Sequence, residues 1–243
     1  MTIGTIDESQ RTAARIAGFT LLFAIMIVTF GNFFIAANLI VSGDAGETAR
    51  NIMAHETRFR LSMACNLIYV ANVAFLIAAL YVILKPVNRG LALAAAFCRL
   101  IFAMMWGVTA LNMFGALRLL GDAPYLHVFS ADQLQTLARM HLRASFDAYY
   151  VGLPFFALAS TICSFLWFRS GYIPKALAVF GLVASAWCVL CAFTYIVFPQ
   201  FNETVNIWLF DTPMAVFEIA LGFWLLFKGL RPPEMVESDK VSG

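Results

Sequence analysis

Two ionisable side chains stand in the middle of long apolar stretches. Arg99 follows Arg89 by ten residues, and Glu218 precedes Lys228 by ten residues. At a helical rise of about 1.5 Å per residue, each side chain lies about 15 Å inside its helix. A charge at the centre of a bilayer costs about 2.5–3.5 kcal/mol, and such residues usually face the bundle interior. Equal depth and opposite charge predict an Arg99–Glu218 pair that places the third apolar stretch against the sixth.

Such a pair has three interpretations. It is a structural ion pair that fixes the order of the helices, or it marks a polar cavity that binds a ligand or relays protons. In the third interpretation the two groups do not meet and Glu218 is protonated. Asn66 and Asn72, in the second stretch, are further candidates for ligand or proton binding. Hydrogen bonds that clamp neighbouring helices are the alternative role for these amides.

A second polar group falls at one set of ends of the apolar stretches. It contains Asp147 and the three histidines of the chain, His55, His127 and His141. Imidazoles and carboxylates can bind zinc, but no two of these histidines have the spacing of a zinc-binding helix. The sequence therefore predicts no metal site, with the histidines as weak candidates only. A membrane-embedded enzyme that uses His141, Asp147 and His55 as acid–base groups is an alternative interpretation.

The elements that must position these groups are six apolar runs of about twenty residues or more. They are Ile16–Val41, Phe59–Leu84, Leu91–Leu117, Phe146–Phe168, Pro174–Phe198 and Trp208–Phe227. Each can cross a hydrocarbon core about 30 Å thick. The composition agrees, with 62% hydrophobic and 12% charged residues. We expect an all-α integral membrane bundle of six transmembrane helices, one domain over residues 1–230, and a disordered tail over 231–243.

The lysines indicate the orientation of the bundle. Lys85, Lys175 and Lys228 all lie at the same set of helix ends. The positive-inside rule then places both termini in the cytoplasm. The two longer connections, 42–58 and 118–145, fall on the outer side, and we expect a short amphipathic helix in each. Ser130 and Gln133 have the spacing of a capping box that would begin the second of these helices.

Several classes of function are disfavoured by what the chain lacks. A net charge of +2 and no basic run outside the apolar stretches argue against a nucleic-acid partner. The chain has no Walker A loop, no dinucleotide fingerprint and no mid-span lysine for retinal, so we expect no cofactor. All five cysteines fall inside the apolar stretches, which favours free thiols. The expected partners are the lipid bilayer and a small-molecule or lipid ligand, and no oligomeric state is favoured.

Several phrases, taken in their order, resemble a bacterial multi-pass membrane family, domain of unknown function 4386. They are Arg15-Ile-Ala-Gly18, Phe59-Arg-Leu-Ser62, Gly152-Leu-Pro154, Tyr172-Ile-Pro-Lys-Ala-Leu-Ala178 and Phe217-Glu-Ile-Ala-Leu-Gly-Phe-Trp224, with Lys228-Gly229 closing the sixth stretch. The resemblance covers most of residues 11–230. It implies a multi-pass protein of a bacterial inner membrane, and it carries over no activity and no catalytic residue.

The functional hypothesis combines the membrane setting with the buried charges. We expect a non-enzymatic protein that binds or moves a small molecule, proton or lipid through a polar cavity near Arg99 and Glu218. The membrane-embedded enzyme is one alternative. A structural or assembly partner of other membrane proteins is the other.

Overall fold

The computed structural model describes residues 6–198 and 200–232. Its helices are α1 (Glu8–Thr29), α2 (Ala45–Ala54), α3 (Glu56–Leu84), α4 (Arg89–Leu120), α5 (Ala131–Ser170), α6 (Lys175–Val197), α7 (Phe201–Thr204) and α8 (Ile207–Phe223). π-Helical segments over Phe30–Ile35 and Trp224–Lys228 extend α1 and α8, and a 3₁₀ turn covers Pro124–Leu126. Within the described residues, six helices are long and apolar enough to span a membrane: α3, α4, α5 and α6, and α1 and α8 taken together with their π-helical extensions. The predicted all-α bundle of six potential spans is confirmed.

The six long helices form a closed ring in chain order. Each packs against the next, from α1 to α3, α4, α5, α6 and α8, and α8 packs against α1 to close the ring. Tight connections at 85–88 and 171–174 lie on one side, which we call the hairpin side. The short helix α2 contacts α3, α4 and α5 at the other end, which we call the α2 side. In this order α4 and α8 occupy opposite positions in the ring.

Large apolar side chains cover the outside of the ring. Phe75, Leu111, Leu190 and Phe227 are among those exposed. Water would penalise so much exposed apolar surface, whereas lipid does not. The interior contains both small side chains, such as Ala157 and Ala178, and large ones, such as Trp167 and Phe210, all of them fully buried. The protein is therefore a multi-pass membrane protein.

The fourth span differs from its predicted form. The amphipathic segment after Ser130 is not a short helix of its own, because α5 runs without interruption from Ala131 to Ser170 over 40 residues. At about 1.5 Å per residue this helix is about 60 Å long, twice the hydrocarbon thickness. The capping box that begins it is present, since the Gln133 N–H donates to Ser130 Oγ at 3.3 Å and the Ser130 N–H donates to Gln133 Oε1 at 2.9 Å. Gly171 ends the helix with a left-handed backbone, φ 68°, which favours glycine.

The first span also differs from its predicted bounds. Its helix begins at Glu8, inside a capping box formed by Asp7 and Gln10, and its π-helical extension ends at Ile35 rather than Val41. Residues 36–41 leave the helix through a turn in which Asn38 has a φ of 65°. The tail predicted to be disordered lies outside the described residues from 233 onward.

A close backbone contact between α1 and α8 closes the ring. A Cβ placed on Gly18 would lie 2.5 Å from the backbone nitrogen of Leu226 and 2.8 Å from the carbonyl oxygen of Gly222. No side chain fits between these backbones, so glycine is required there. On the hairpin side, Gln10 Nε2 donates to the carbonyl oxygen of Ile83 at 3.2 Å and contacts the Tyr172 hydroxyl at 3.4 Å. These contacts join α1 to α3 and to the connection between α5 and α6 at this end of the ring.

Candidate functional site

An ion pair crosses the centre of the ring. Arg99 Nη2 on α4 lies 2.9 Å from Glu218 Oε1 on α8. The same nitrogen donates to Ser160 Oγ on α5 at 3.1 Å, and the guanidinium carbon lies 5.3 Å from the centre of the Phe156 ring. The predicted contact is confirmed. The expected packing of the third span against the sixth is wrong, because α4 packs against α3 and α5 while α8 packs against α6 and α1. The length of the arginine side chain bridges the gap.

This axial pair, Arg99 with Glu218, is removed from solvent. Arg99 is 6% exposed and Glu218 is 9% exposed. Within the described residues, the Nε atom of Arg99 has no hydrogen-bond partner. Two charges in such surroundings are stabilised chiefly by each other, and removal of either one leaves an uncompensated buried charge.

A second carboxylate lies on the α2 side of the axial pair. Asp211 is seven residues before Glu218 on α8, so the two share a face of the helix. The hydroxyl of Tyr149 on α5 donates to Asp211 Oδ2 at 2.8 Å. Asp211 and Glu218 also interact electrostatically. The sequence analysis missed Asp211 and Tyr149, and the seven-residue spacing of two acids in one apolar stretch was the signal that could have found them.

Aromatic rings connect Tyr149 to the axial pair. Trp106 of α4 lies between Tyr149 and Tyr69 of α3, with ring centres 5.8 Å and 5.0 Å away. Phe102 of α4 contacts Tyr149 at 6.1 Å and Phe156 at 4.9 Å. These five rings, which we call the aromatic cluster, come from three helices. Tyr69 is also within electrostatic range of Arg99, Glu218 and Asp211.

The hairpin side of the axial pair is apolar and tightly packed. A cavity of about 10 Å³ lies there, and its lining includes Arg99, Leu80, Ala92, Ala95 and Cys163. This is at most the room of a single water molecule. The axis thus has three successive parts: a polar and aromatic compartment with Asp211, the axial pair, and a closed apolar end.

Residues 16–229 match the family described as a domain of unknown function, DUF4386. The chain belongs to the DUF4386 family. No curated protein and no solved structure matches the chain. The description of the DUF4386 family names no activity.

The two candidate amides contact neighbouring helices of the DUF4386 bundle. Asn72 Nδ2 donates to the carbonyl oxygen of Thr20 on α1 at 2.8 Å. Asn66 Nδ2 contacts Met113 Sδ on α4 at 3.5 Å, and its buried Oδ1 atom has no partner within the described residues. Asn72 therefore acts as a clamp between α1 and α3, while Asn66 keeps one acceptor available.

The remaining candidates do not converge on a common centre. Asp147 and His55 are exposed, and His141 lies against α4, where its Nδ1 is 3.4 Å from Asn112 Oδ1. His127 contacts Asp122 at 2.9 Å on the surface. Across the described part of the chain, no three histidine, cysteine, aspartate or glutamate residues are grouped as metal ligands would be. The arrangement of these residues offers no support for the enzyme alternative.

Proposed function

We propose that this protein is a non-enzymatic protein of a bacterial inner membrane that binds a small solute inside the ring and moves it along the ring axis. Both chain termini face the cytoplasm in this proposal, so the compartment that holds Asp211 faces outward. The axial pair is the barrier between this compartment and the closed cytoplasmic end.

The observation that carries the proposal is the position of the ion pair. Arg99 and Glu218 belong to helices on opposite sides of the ring, and their contact closes its centre. A pair that only fixed the order of neighbouring helices would have no need to cross the axis. Polar groups of α3, α5 and α8 also face the same interior. Such groups are energetically costly inside a bilayer, and they commonly mark the path of a substrate or an ion.

Cys163 provides a natural reporter of the barrier, because its thiol lines the small cavity on the hairpin side of Arg99. We would replace Cys65, Cys98, Cys188 and Cys191 by alanine and measure the rate at which N-ethylmaleimide labels Cys163 in membranes. Occasional opening of the axis should label Cys163 faster than it labels Cys65 in a matched Cys65-only variant. Cys65 is also buried but packs against Gly31 in the π-helical extension of α1, outside the axial site.

Glu218→Gln removes the barrier charge and should accelerate the labelling of Cys163 about tenfold or more. The exchange Arg99→Glu with Glu218→Arg should restore part of the protection. The labelling of Cys65 should change little in either variant. Equal rates for Cys163 and Cys65 in all three proteins would instead support a structural or assembly role and refute the conduit.

A further inference from the structure

Among the described residues, the interior of the ring carries more acidic than basic side chains. Two carboxylates, Asp211 and Glu218, face one guanidinium, Arg99, and the guanidinium is already bound to Glu218. The charged neighbour that acts on Asp211 is Glu218, which has the same sign. In the part of the chain that the structure describes, no basic side chain forms an ion pair with Asp211, and an ionised carboxylate without a counter-ion is unfavourable in a low-dielectric interior. Uptake of a proton by Asp211, or binding of a monovalent cation beside it, would neutralise the compartment.

Each of the two helices that carry the Tyr149–Asp211 hydrogen bond contains a proline. Pro154 lies within α5 and Pro213 lies within α8. A proline has no N–H group, so the carbonyl oxygens four residues earlier, of Tyr150 and Leu209, lose their helical donor. Both carbonyls belong to the same turns as the Tyr149–Asp211 hydrogen bond. The Asp211 carboxylate beside Tyr149 suits a cationic ligand rather than an anionic one.

The aromatic cluster indicates which class of cation the compartment would bind. Tyr149, Trp106 and Tyr69 form a chain of rings whose first member holds Asp211 through its hydroxyl. Trp106, Tyr149 and Asp211 lie inside the ring yet each stays only partly buried, so surface remains on which a ligand can rest. Aromatic faces next to a carboxylate are the usual means of binding ammonium groups, whereas hard metal ions prefer cages of oxygen.

We propose that the outer compartment of this protein binds a small organic ammonium ion, with Asp211 as its counter-ion and the rings of Tyr149, Trp106 and Tyr69 as its contact surface. This inference rests on the proposed function, because it names the class of solute that the conduit takes. The axial pair lies on the hairpin side of this position and separates the bound cation from the closed end.

Choline is a suitable probe, because 3,3-dimethyl-1-butanol has the same shape without the charge. Isothermal titration of the purified full chain in nanodiscs should detect binding of choline and at least tenfold weaker binding of the neutral alcohol. Asp211→Asn should weaken the binding of choline at least tenfold, and Asp211→Glu should keep it within a few-fold. Trp106→Leu should weaken it several-fold through the loss of one aromatic face. Asp147→Asn, which changes an exposed carboxylate on α5, is the matched control and should bind choline as the unmodified protein does.

Three results would overturn the inference: equal binding of choline and the neutral alcohol, equal effects of Asp211→Asn and Asp147→Asn, or binding of Na⁺ without binding of choline. The thermal unfolding of each variant shows whether it is folded, and Asp211→Glu preserves the test if Asp211→Asn unfolds. If choline binding is disproved but the conduit exists, Cys163 is still labelled faster than Cys65. Failure of the conduit itself would appear as equal labelling of Cys163 and Cys65.

Discussion

Glu218→Gln is the perturbation whose effect on stability follows most directly from the structure. The glutamine keeps the shape and a hydrogen-bonding oxygen but leaves Arg99, which is 6% exposed, without a counter-charge. Two unit charges 4 Å apart attract by about 4 kcal/mol at an effective dielectric constant of about 20. Removal of one member of a buried pair costs about 3–5 kcal/mol in soluble proteins. We therefore expect the free energy of unfolding to fall by about 3–5 kcal/mol.

The measurement is reversible unfolding by SDS titration of the protein in lipid–detergent bicelles. Arg99→Gln should cost less than Glu218→Gln, since an isolated carboxyl group can take up a proton whereas an arginine keeps its charge. The double exchange of the two charges should recover part of the loss. Glu56→Gln is the matched control, because the Arg60–Glu56 pair at 2.6 Å is exposed and exposed pairs contribute about 0–1 kcal/mol.

The reasoning would be refuted if Glu218→Gln, Arg99→Gln and the charge exchange all unfolded like the unmodified protein. It would also be refuted if Glu218→Gln and Glu56→Gln cost the same. Either result would mean that the 2.9 Å contact contributes nothing beyond what an exposed pair does. The role of the pair as a barrier would then lose its energetic basis.

Two further predictions concern the packing of the ring. Gly18→Ala should destabilise the protein by several kcal/mol or prevent folding, because the new methyl group would overlap the backbone of the α8 extension. Gly107→Ala is the control: nothing lies within 4 Å of the added methyl group, so this variant should be neutral or more stable by up to about 1 kcal/mol. Unfolding titrations of the two variants would compare their free energies of unfolding. Asn72→Ala should lower the free energy of unfolding by about 0.5–2 kcal/mol in the same titration, because its hydrogen bond to α1 is lost. Asn32→Ala removes an exposed amide that bonds within its own helix, so it should lower the free energy of unfolding by less than about 0.5 kcal/mol. Equal losses in the two variants would contradict the role of Asn72 as a clamp.

Local properties of the sequence predicted the membrane bundle. Apolar runs of sufficient length identify spans because hydropathy depends only on which residues are adjacent in the chain. The capping residues Ser130 and Gln133 identified a helix start because capping acts within one turn. Depth along a helix is likewise a count of residues, and it correctly matched Arg99 with Glu218.

Only the tertiary structure decided which helices face one another. The axial pair joins α4 and α8 across the ring. A count of residues along one helix cannot reveal this contact, because the order and rotation of the helices depend on packing around the whole ring. The same dependence explains why Asp211 meets Tyr149, why Asp147 is exposed, and why Gly18 is a contact point while Gly107 is not. Depth and charge are local properties of a sequence, whereas the partner of a buried charge is a property of the assembled bundle.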